Sequence, residues 1–237
     1  MIRMSRPVVT DWRTLLRELA ITFVGVLLAL LATAWWGERL DRKHELAYIS
    51  QMRADLTTTK VSLDSIIAEN NKGAAAATEI LKMMRSGKPI ARDTLDKLTD
   101  LPWFQSTRPT ITLGTARALA QSGEGALIRD PSLRLLIASY VATADNALTS
   151  MEGYAQVFRP VSDRFRAYSE REVSPEMNGW KDSVTRVVTA RTIIRNARDA
   201  EYRAMLASFI GWRLASVRRM VEIRVSGDSL LARLPAT

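Results

Sequence analysis

Hydrophobic positions along this chain form one continuous run and several periodic stripes. The run from Leu19 to Trp36 holds 18 residues without a charge, between Arg17-Glu18 and Glu38-Arg39. As a helix it would be about 27 Å long at ~1.5 Å per residue, close to the ~30 Å thickness of a bilayer's hydrocarbon core. The run therefore predicts a transmembrane helix.

The ends of this run carry the residue types found at membrane surfaces. Trp35 and Trp36 occupy the place of an interfacial aromatic belt, and Arg17 and Arg39 flank the apolar residues. We predict that these four residues lie at the membrane interface. A cleaved signal peptide and a buried core helix are alternative interpretations, and Ala32-Thr33-Ala34 fits a cleavage site. A run of 18 residues favours the anchor, because signal peptides have apolar regions of roughly 7–15 residues.

A helical stripe follows the run, since apolar or small residues recur at alternating spacings of three and four. They are Ile49, Met52, Leu56, Thr59, Leu63 and Ile66. The stripe predicts either a helix packed with one face against a bundle or a short coiled coil between copies. Gly73 is suited to a helix end, so a stalk helix is predicted at 37–72.

The remaining chain also predicts helices. An Ala-rich helix is expected at 74–84, and Asp130-Pro131 is an N-cap followed by Pro at the first helical position. An apolar stripe continues from there until Pro160, which is expected to stop the helix, and a further helix is expected at 161–172. Residues 181–226 contain a single Gly, Gly211, and predict one long helix or two helices broken near it. Two stripes are expected to be buried there: Val187, Ala190, Ile194 and Ala197, then Leu206, Ile210, Leu214, Val217 and Val221.

No sustained alternating pattern of strands occurs, so the predicted fold class is all-α. The architecture is a transmembrane helix that continues into a long stalk helix and is followed by a helical bundle. The predicted divisions are a basic tail at 1–18, the membrane helix at 19–36, the stalk at 37–72 and the bundle at 73–237.

Composition narrows the possible chemistry. The chain has no Cys and one His, which excludes thiolate metal sites, cysteine nucleophiles and sites that need two imidazoles. The net charge is +9. Arg191, Arg195 and Arg198 are spaced to share one helical face. The face indicates contact with an acidic partner, anionic lipid headgroups or nucleic acid, or else an ordinary solvated surface.

No catalytic, cofactor or metal motif is found. Asp41, His44 and Glu45 share a helical face beyond the membrane run, where they could hold a metal or the imidazole could ligate a pigment magnesium or haem iron. However, Arg39, Arg42 and Lys43 surround them and would pair with the carboxylates. We therefore predict neither enzymatic activity nor a bound cofactor or metal.

The orientation of the protein in the membrane is predicted from the short basic tail and the long body on the two sides of the run. Basic residues are nearly balanced across the run, but short basic tails resist translocation whereas long domains cross largely regardless of charge. This favours a cytoplasmic N-terminus and a body outside the cytoplasm, which is the periplasm in a Gram-negative cell. Nucleic acid is then not expected as a partner.

Three elements in order resemble an uncharacterised family of bacterial single-pass membrane proteins. The first is the anchor, Gly25 to Arg39, in which Trp35-Trp36-Gly37-Glu38 stands where the family has Asn-Trp-Asn-Glu. The second is Tyr48 with Asp55-Leu56. The third consists of Thr115, Leu119 and Ser122-Gly123, together with the helix start that follows at Leu127-Ile128-Arg129-Asp130 and Leu133-Arg134. The resemblance covers roughly residues 20–160 and implies a bacterial inner-membrane protein with one span and a helical body. It implies no catalytic residue.

Together these patterns predict a non-enzymatic membrane-anchored helical protein. A structural or accessory subunit of a larger membrane complex, respiratory or photosynthetic for example, fits one anchor and a long rigid stalk. Its expected partners are lipids and other membrane subunits, with a possible homo-oligomer through the stalk helix. The alternative is a tethered sensory or ligand-binding bundle, which would need a pocket with converging polar groups.

Overall fold

Helix α1 joins the predicted membrane helix and stalk into one uninterrupted helix, Trp12–Ser86. Its 75 residues correspond to about 110 Å at ~1.5 Å per residue. The computed structural model describes residues 12–99, 109–121, 124–168, 170–173, 184–187 and 190–235, so most of the predicted tail at 1–18 lies outside the described residues.

The all-α prediction is confirmed. The helices after α1 are α2 (Arg92–Thr99), α3 (Gly114–Gln121), a short 3₁₀ helix (Glu124–Leu127), α4 (Pro131–Tyr168), α5 (Ala190–Asn196) and α6 (Ala200–Arg233). The described chain departs from this class at one short antiparallel hairpin, in which β1 (Glu170–Val173) pairs with β2 (Val184–Val187). Helix α4 ends at Tyr168, so the helix expected at 161–172 is wrong for its last residues.

Helices α1, α4 and α6 form the body. Arg53 of α1 binds the carbonyl of Leu234 at the end of α6, whereas Gly73 further along α1 lies against Arg213. Helix α6 therefore runs antiparallel to α1. The start of α4 meets Glu45 through Arg129, so the end of the body nearest the apolar run holds both the start of α4 and the end of α6.

The stalk stripe is confirmed as a packing face. All six of its residues are buried, and Thr59 among them is 2% exposed. The five apolar residues of the stripe belong to a lower core cluster with residues of α3, α4 and α6, so the face is covered by the same chain rather than by a second copy. The bundle therefore begins at Ile49 and not at residue 73.

A second, upper cluster lies at the far end of the body. It joins the end of α1 to α2, α5 and the first turns of α6, and it includes Ile80, Leu95, Ile193, Tyr202 and Phe209. Polar residues separate the two clusters along the bundle axis: Asn70 is 8% exposed, Arg213 2% and Ser216 6%.

Gly73 does not end a helix, and this prediction is wrong. Helix α1 continues to Ser86, and the glycine that follows its end is Gly87, which has a positive φ of +67°. A Cβ atom at position 73 would lie 2.5 Å from Nη1 of Arg213. The glycine is therefore explained by the close approach of a buried guanidinium, not by helix termination.

Two other predicted breaks are also wrong. Pro160 lies inside α4 on an exposed position, and the helix passes through it although proline removes one backbone donor. The break before α6 falls near Asp199 and not at Gly211. The Asp199 side chain caps α6 by accepting bonds from the backbone N–H groups of Glu201 and Tyr202. The start of α4 is confirmed, since Asp130 accepts from Ser132 N at 2.8 Å.

The buried face of α6 differs from the predicted stripe. Leu214 is 49% exposed and Val221 38%, whereas Arg213, Ser216 and Met220 are buried. Gly227 also faces inward, where a Cβ atom would lie 3.4 Å from the Tyr140 ring. The contact face thus contains a charged, a hydroxyl and a glycine residue, which a search for apolar spacing does not select. In the preceding segment, Ile193 is buried rather than Ile194.

Candidate membrane interface

The apolar run has no partner within the described part of the chain. One helix there is long and apolar enough to cross a membrane, with a mean hydropathy of 2.1 over its best 18-residue window, and none of that window is buried. Its large side chains are exposed, for example Phe23 at 68% and Leu30 at 62%. The interpretation as a core helix of the body is therefore wrong.

Both threonine hydroxyls within the run are satisfied inside the helix. The Thr22 hydroxyl donates to the Glu18 carbonyl at 2.9 Å, and the Thr33 hydroxyl donates to the Ala29 carbonyl at 2.8 Å. In hydrocarbon an unsatisfied hydroxyl costs several kcal/mol, so these bonds make both threonines compatible with lipid.

The four predicted interface residues stand on this exposed helix. Arg17 is exposed near its start. At the other end Trp35 and Trp36 are 58% and 67% exposed, and their rings meet edge to face with centroids 6.3 Å apart. The Arg39 guanidinium lies 5.6 Å from the centroid of the Trp35 ring, within the range of a cation–π contact.

A charged contact joins the body to α1 directly beyond the run. The backbone N–H of Arg129 donates to Oε1 of Glu45 at 2.8 Å, and the Arg129 guanidinium lies 3.4 Å from Oε1 of Glu38. The Glu45 side chain is only 12% exposed. We call this arrangement the Arg129 contact. It places the start of α4 against α1 directly beyond the apolar run.

The Arg129 contact also bears on the possible metal ligands. Glu45 is occupied by Arg129, while Asp41 and His44 are exposed. No group of three or more His, Cys, Asp or Glu residues able to hold a metal occurs among the described residues.

The predicted basic face at 191–198 does not form as one helical face. Arg191 and Arg195 lie on α5, which ends at Asn196, whereas Arg198 lies in the turn before the Asp199 cap. The break at Asp199 therefore separates the third arginine from the other two.

A buried arginine is the feature that the sequence pattern missed. The Arg213 guanidinium lies 4.8 Å from the centroid of the Phe209 ring and against the backbone of Gly73. Burial lowers the pKa of Arg213, and the Glu69 carboxylate acts in the opposite direction. The signal in the sequence is a glycine in the interior of α1 and an arginine in α6. The two can be matched only when the register between these helices is known.

A small recess lies between the three long helices in the lower cluster. Its volume is about 10 Å³, and its walls include Leu56, Thr59, Tyr140, Gly227 and Asp228. The buried Tyr140 hydroxyl has no hydrogen-bond partner of standard geometry, and burial raises the pKa of Tyr140 to about 12. About 10 Å³ is room for roughly one water molecule and not for a metabolite.

Two elements of the family resemblance meet in space. The Thr115 hydroxyl of the third element donates to Oδ2 of Asp55 in the second at 2.6 Å. Next to this bond, and outside the elements themselves, the Thr112 backbone N–H donates to the Thr59 hydroxyl at 3.0 Å. Arg129 of the third element makes the contact with Glu45. The elements thus connect α1 to the segments that follow it.

No protein-family model matches this chain, and neither the curated proteins nor the solved structures contain a match. The resemblance to an uncharacterised membrane-protein family stays a prediction.

Proposed function

We propose that this protein is a non-enzymatic, membrane-anchored helical subunit that holds a rigid body at a fixed place beside a bilayer, within a larger membrane complex. The observation that carries the proposal is the 18-residue apolar window, which is continuous with a body helix and has none of its surface buried. Lipid or another membrane chain has to cover that surface, because exposing it to water would be costly.

Mechanical continuity supports the positioning role. Helix α1 passes from the apolar run into the lower core without a break, and the Arg129 contact attaches α4 at the same level. A change in the position of the membrane helix is therefore transmitted to the body, and the body cannot pivot freely about a flexible linker.

The ligand-binding alternative receives less support. The recess beside Tyr140 holds about 10 Å³, whereas small-molecule pockets are ~300–1,000 Å³. We infer that the bundle works through its outer surfaces. Because the stalk stripe is covered by α4 and α6, a homo-oligomer would use other faces of α1 or the body.

The anchor and its orientation are tested by introducing single cysteines into a chain that has none. Ser139→Cys lies on an exposed position of α4, and Ser5→Cys marks the tail. In bacterial cells we expect a membrane-impermeant maleimide to label position 139 and to leave position 5 unlabelled until the cells are opened. Labelling of position 5 alone would show the opposite orientation. Full release of the protein from membranes by alkaline carbonate contradicts the anchor.

The accessory-subunit role is tested by native purification. After mild detergent extraction we expect the full chain to migrate with other membrane proteins, identified by mass spectrometry of the co-purifying chains. Migration as a monomer or a homodimer alone contradicts the role.

A further inference from the structure

Charges on α1 beyond the apolar run are sorted by face. Glu38 and Glu45 are seven residues apart, so they share the face that meets the body, and both contact Arg129. Arg39 and Lys43 are four residues apart on a different face, and both are exposed. Asp41 and Arg42 are exposed as well, so the charges of this segment that Arg129 does not contact are three cations and one carboxylate.

The exposed cations continue an aromatic surface. Trp35 lies four residues before Arg39 and contacts its guanidinium at 5.6 Å, and the exposed Trp36 lies seven residues before Lys43. We call Trp35, Trp36, Arg39 and Lys43 the interfacial stripe. Its two indoles suit the boundary between hydrocarbon and headgroups, and its two cations stand directly beyond them.

The height of these cations matches the headgroup layer. With Arg39 at the hydrocarbon edge, Lys43 lies about 6 Å further along the helix at ~1.5 Å per residue. The headgroup layer is about 5–8 Å thick on each side of the bilayer. Glu45, which accepts the Arg129 backbone N–H, lies at about 9 Å by the same measure. The cations are therefore within the layer that contains lipid phosphates. The Arg129 guanidinium reaches into the same layer beside Glu38, and the backbone of Arg129 lies at its outer edge.

The partner that fits this surface is an anionic phospholipid. Glu38 and Glu45 are engaged by Arg129, so they compete less for Arg39 and Lys43. Each basic residue at a membrane surface contributes about 1 kcal/mol toward anionic lipid, which is roughly fivefold in binding. We propose that the interfacial stripe binds the headgroups of anionic phospholipids, so that these lipids are enriched beside α1. This inference rests on the proposed membrane anchor.

The test uses the full chain reconstituted into vesicles of phosphatidylcholine and phosphatidylglycerol in a 4:1 ratio. One of the two lipids carries brominated acyl chains, which quench nearby tryptophan fluorescence, and unbrominated vesicles provide the reference intensity. Trp12 lies near the opposite end of the span, so the experiment uses a Trp12→Phe background. This substitution removes quenching at that end and leaves the signal of Trp35 and Trp36. We expect brominated phosphatidylglycerol to quench several-fold more than its mole fraction accounts for.

The variant Arg39→Gln/Lys43→Gln removes both cations, and we expect it to reduce this preference to the mole fraction. The matched control Lys72→Gln/Arg85→Gln removes the same charges from α1 about 43 Å or more beyond Lys43 and should retain the preference. Equal preference in the two double variants, or none in the parent chain, overturns the inference while the anchor stands. Absence of quenching by either brominated lipid contradicts the anchor itself.

Discussion

Substituting Gly73 by alanine tests whether the buried Arg213 guanidinium determines the helix register of the body. The new Cβ would lie 2.5 Å from Nη1 and 3.1 Å from Cζ of Arg213, closer than atoms pack. The guanidinium has little room to retreat, because Arg213 is 2% exposed and lies over the Phe209 ring.

Two opposing effects set the magnitude. Alanine replaces glycine in a helix interior with a gain of about 1 kcal/mol, whereas overpacking a core costs about 1–3 kcal/mol. We expect Gly73→Ala to lower the free energy of unfolding by about 1 kcal/mol. Gly211→Ala is the matched control, because Gly211 lies inside α6 and a Cβ atom there would have no neighbour within 4 Å, so it should stabilise by about 1 kcal/mol.

The measurement is denaturant unfolding of the full chain in detergent, followed by circular dichroism. In an Arg213→Met background the clash is relieved, so Gly73→Ala should become stabilising, with a coupling energy of about 2 kcal/mol between the two sites. If Gly73→Ala stabilises the parent chain as much as Gly211→Ala does, the explanation of Gly73 by close approach is refuted.

Three further perturbations follow from the other contacts. Arg129→Ala removes both carboxylate contacts of the guanidinium. Since these pairs are partly exposed, we expect the free energy of unfolding to fall by up to about 1 kcal/mol, measured by thermal unfolding. An unchanged free energy of unfolding contradicts a stabilising role for the Arg129 side chain. The folded pKa of Tyr140, about 12, exceeds the unfolded value of 10.0, so stability is lost as pH rises from 10 to 12. In urea titrations at several pH values we expect Tyr140→Phe to reduce that loss and to retain the stability at pH 7. A loss as steep as in the parent chain argues against the raised pKa of Tyr140. Leu28→Arg places a charge at mid-span at a cost of roughly 3 kcal/mol and should reduce membrane insertion in a fractionation assay, whereas equal insertion contradicts the span.

Local patterns along the sequence identified the elements that depend on one helix alone. The charge-free run predicted an exposed membrane-length helix, and six residues from Ile49 to Ile66 predicted a buried face. Asp130-Pro131 predicted the start of α4. Each of these signals follows from helix periodicity or from the bonding of terminal N–H groups, which neighbouring residues largely determine.

Contacts between segments that are distant in sequence could not be predicted from those patterns. Gly73 was expected to end a helix, but its role depends on Arg213, 140 residues further along the chain. The register of α6 likewise could not be read from its apolar spacing, since its buried face contains Arg213, Ser216 and Gly227.

The interfacial stripe shows the same division. The sequence by itself placed Trp35, Trp36 and Arg39 at the end of an apolar run, because hydropathy and aromatic position are local properties. Only the tertiary structure decided which charges face outward, because Arg129 approaches from the start of α4 and engages Glu38 and Glu45. Helix propensity and hydropathy act between neighbours in sequence, whereas the pairing of charges depends on which helices pack together.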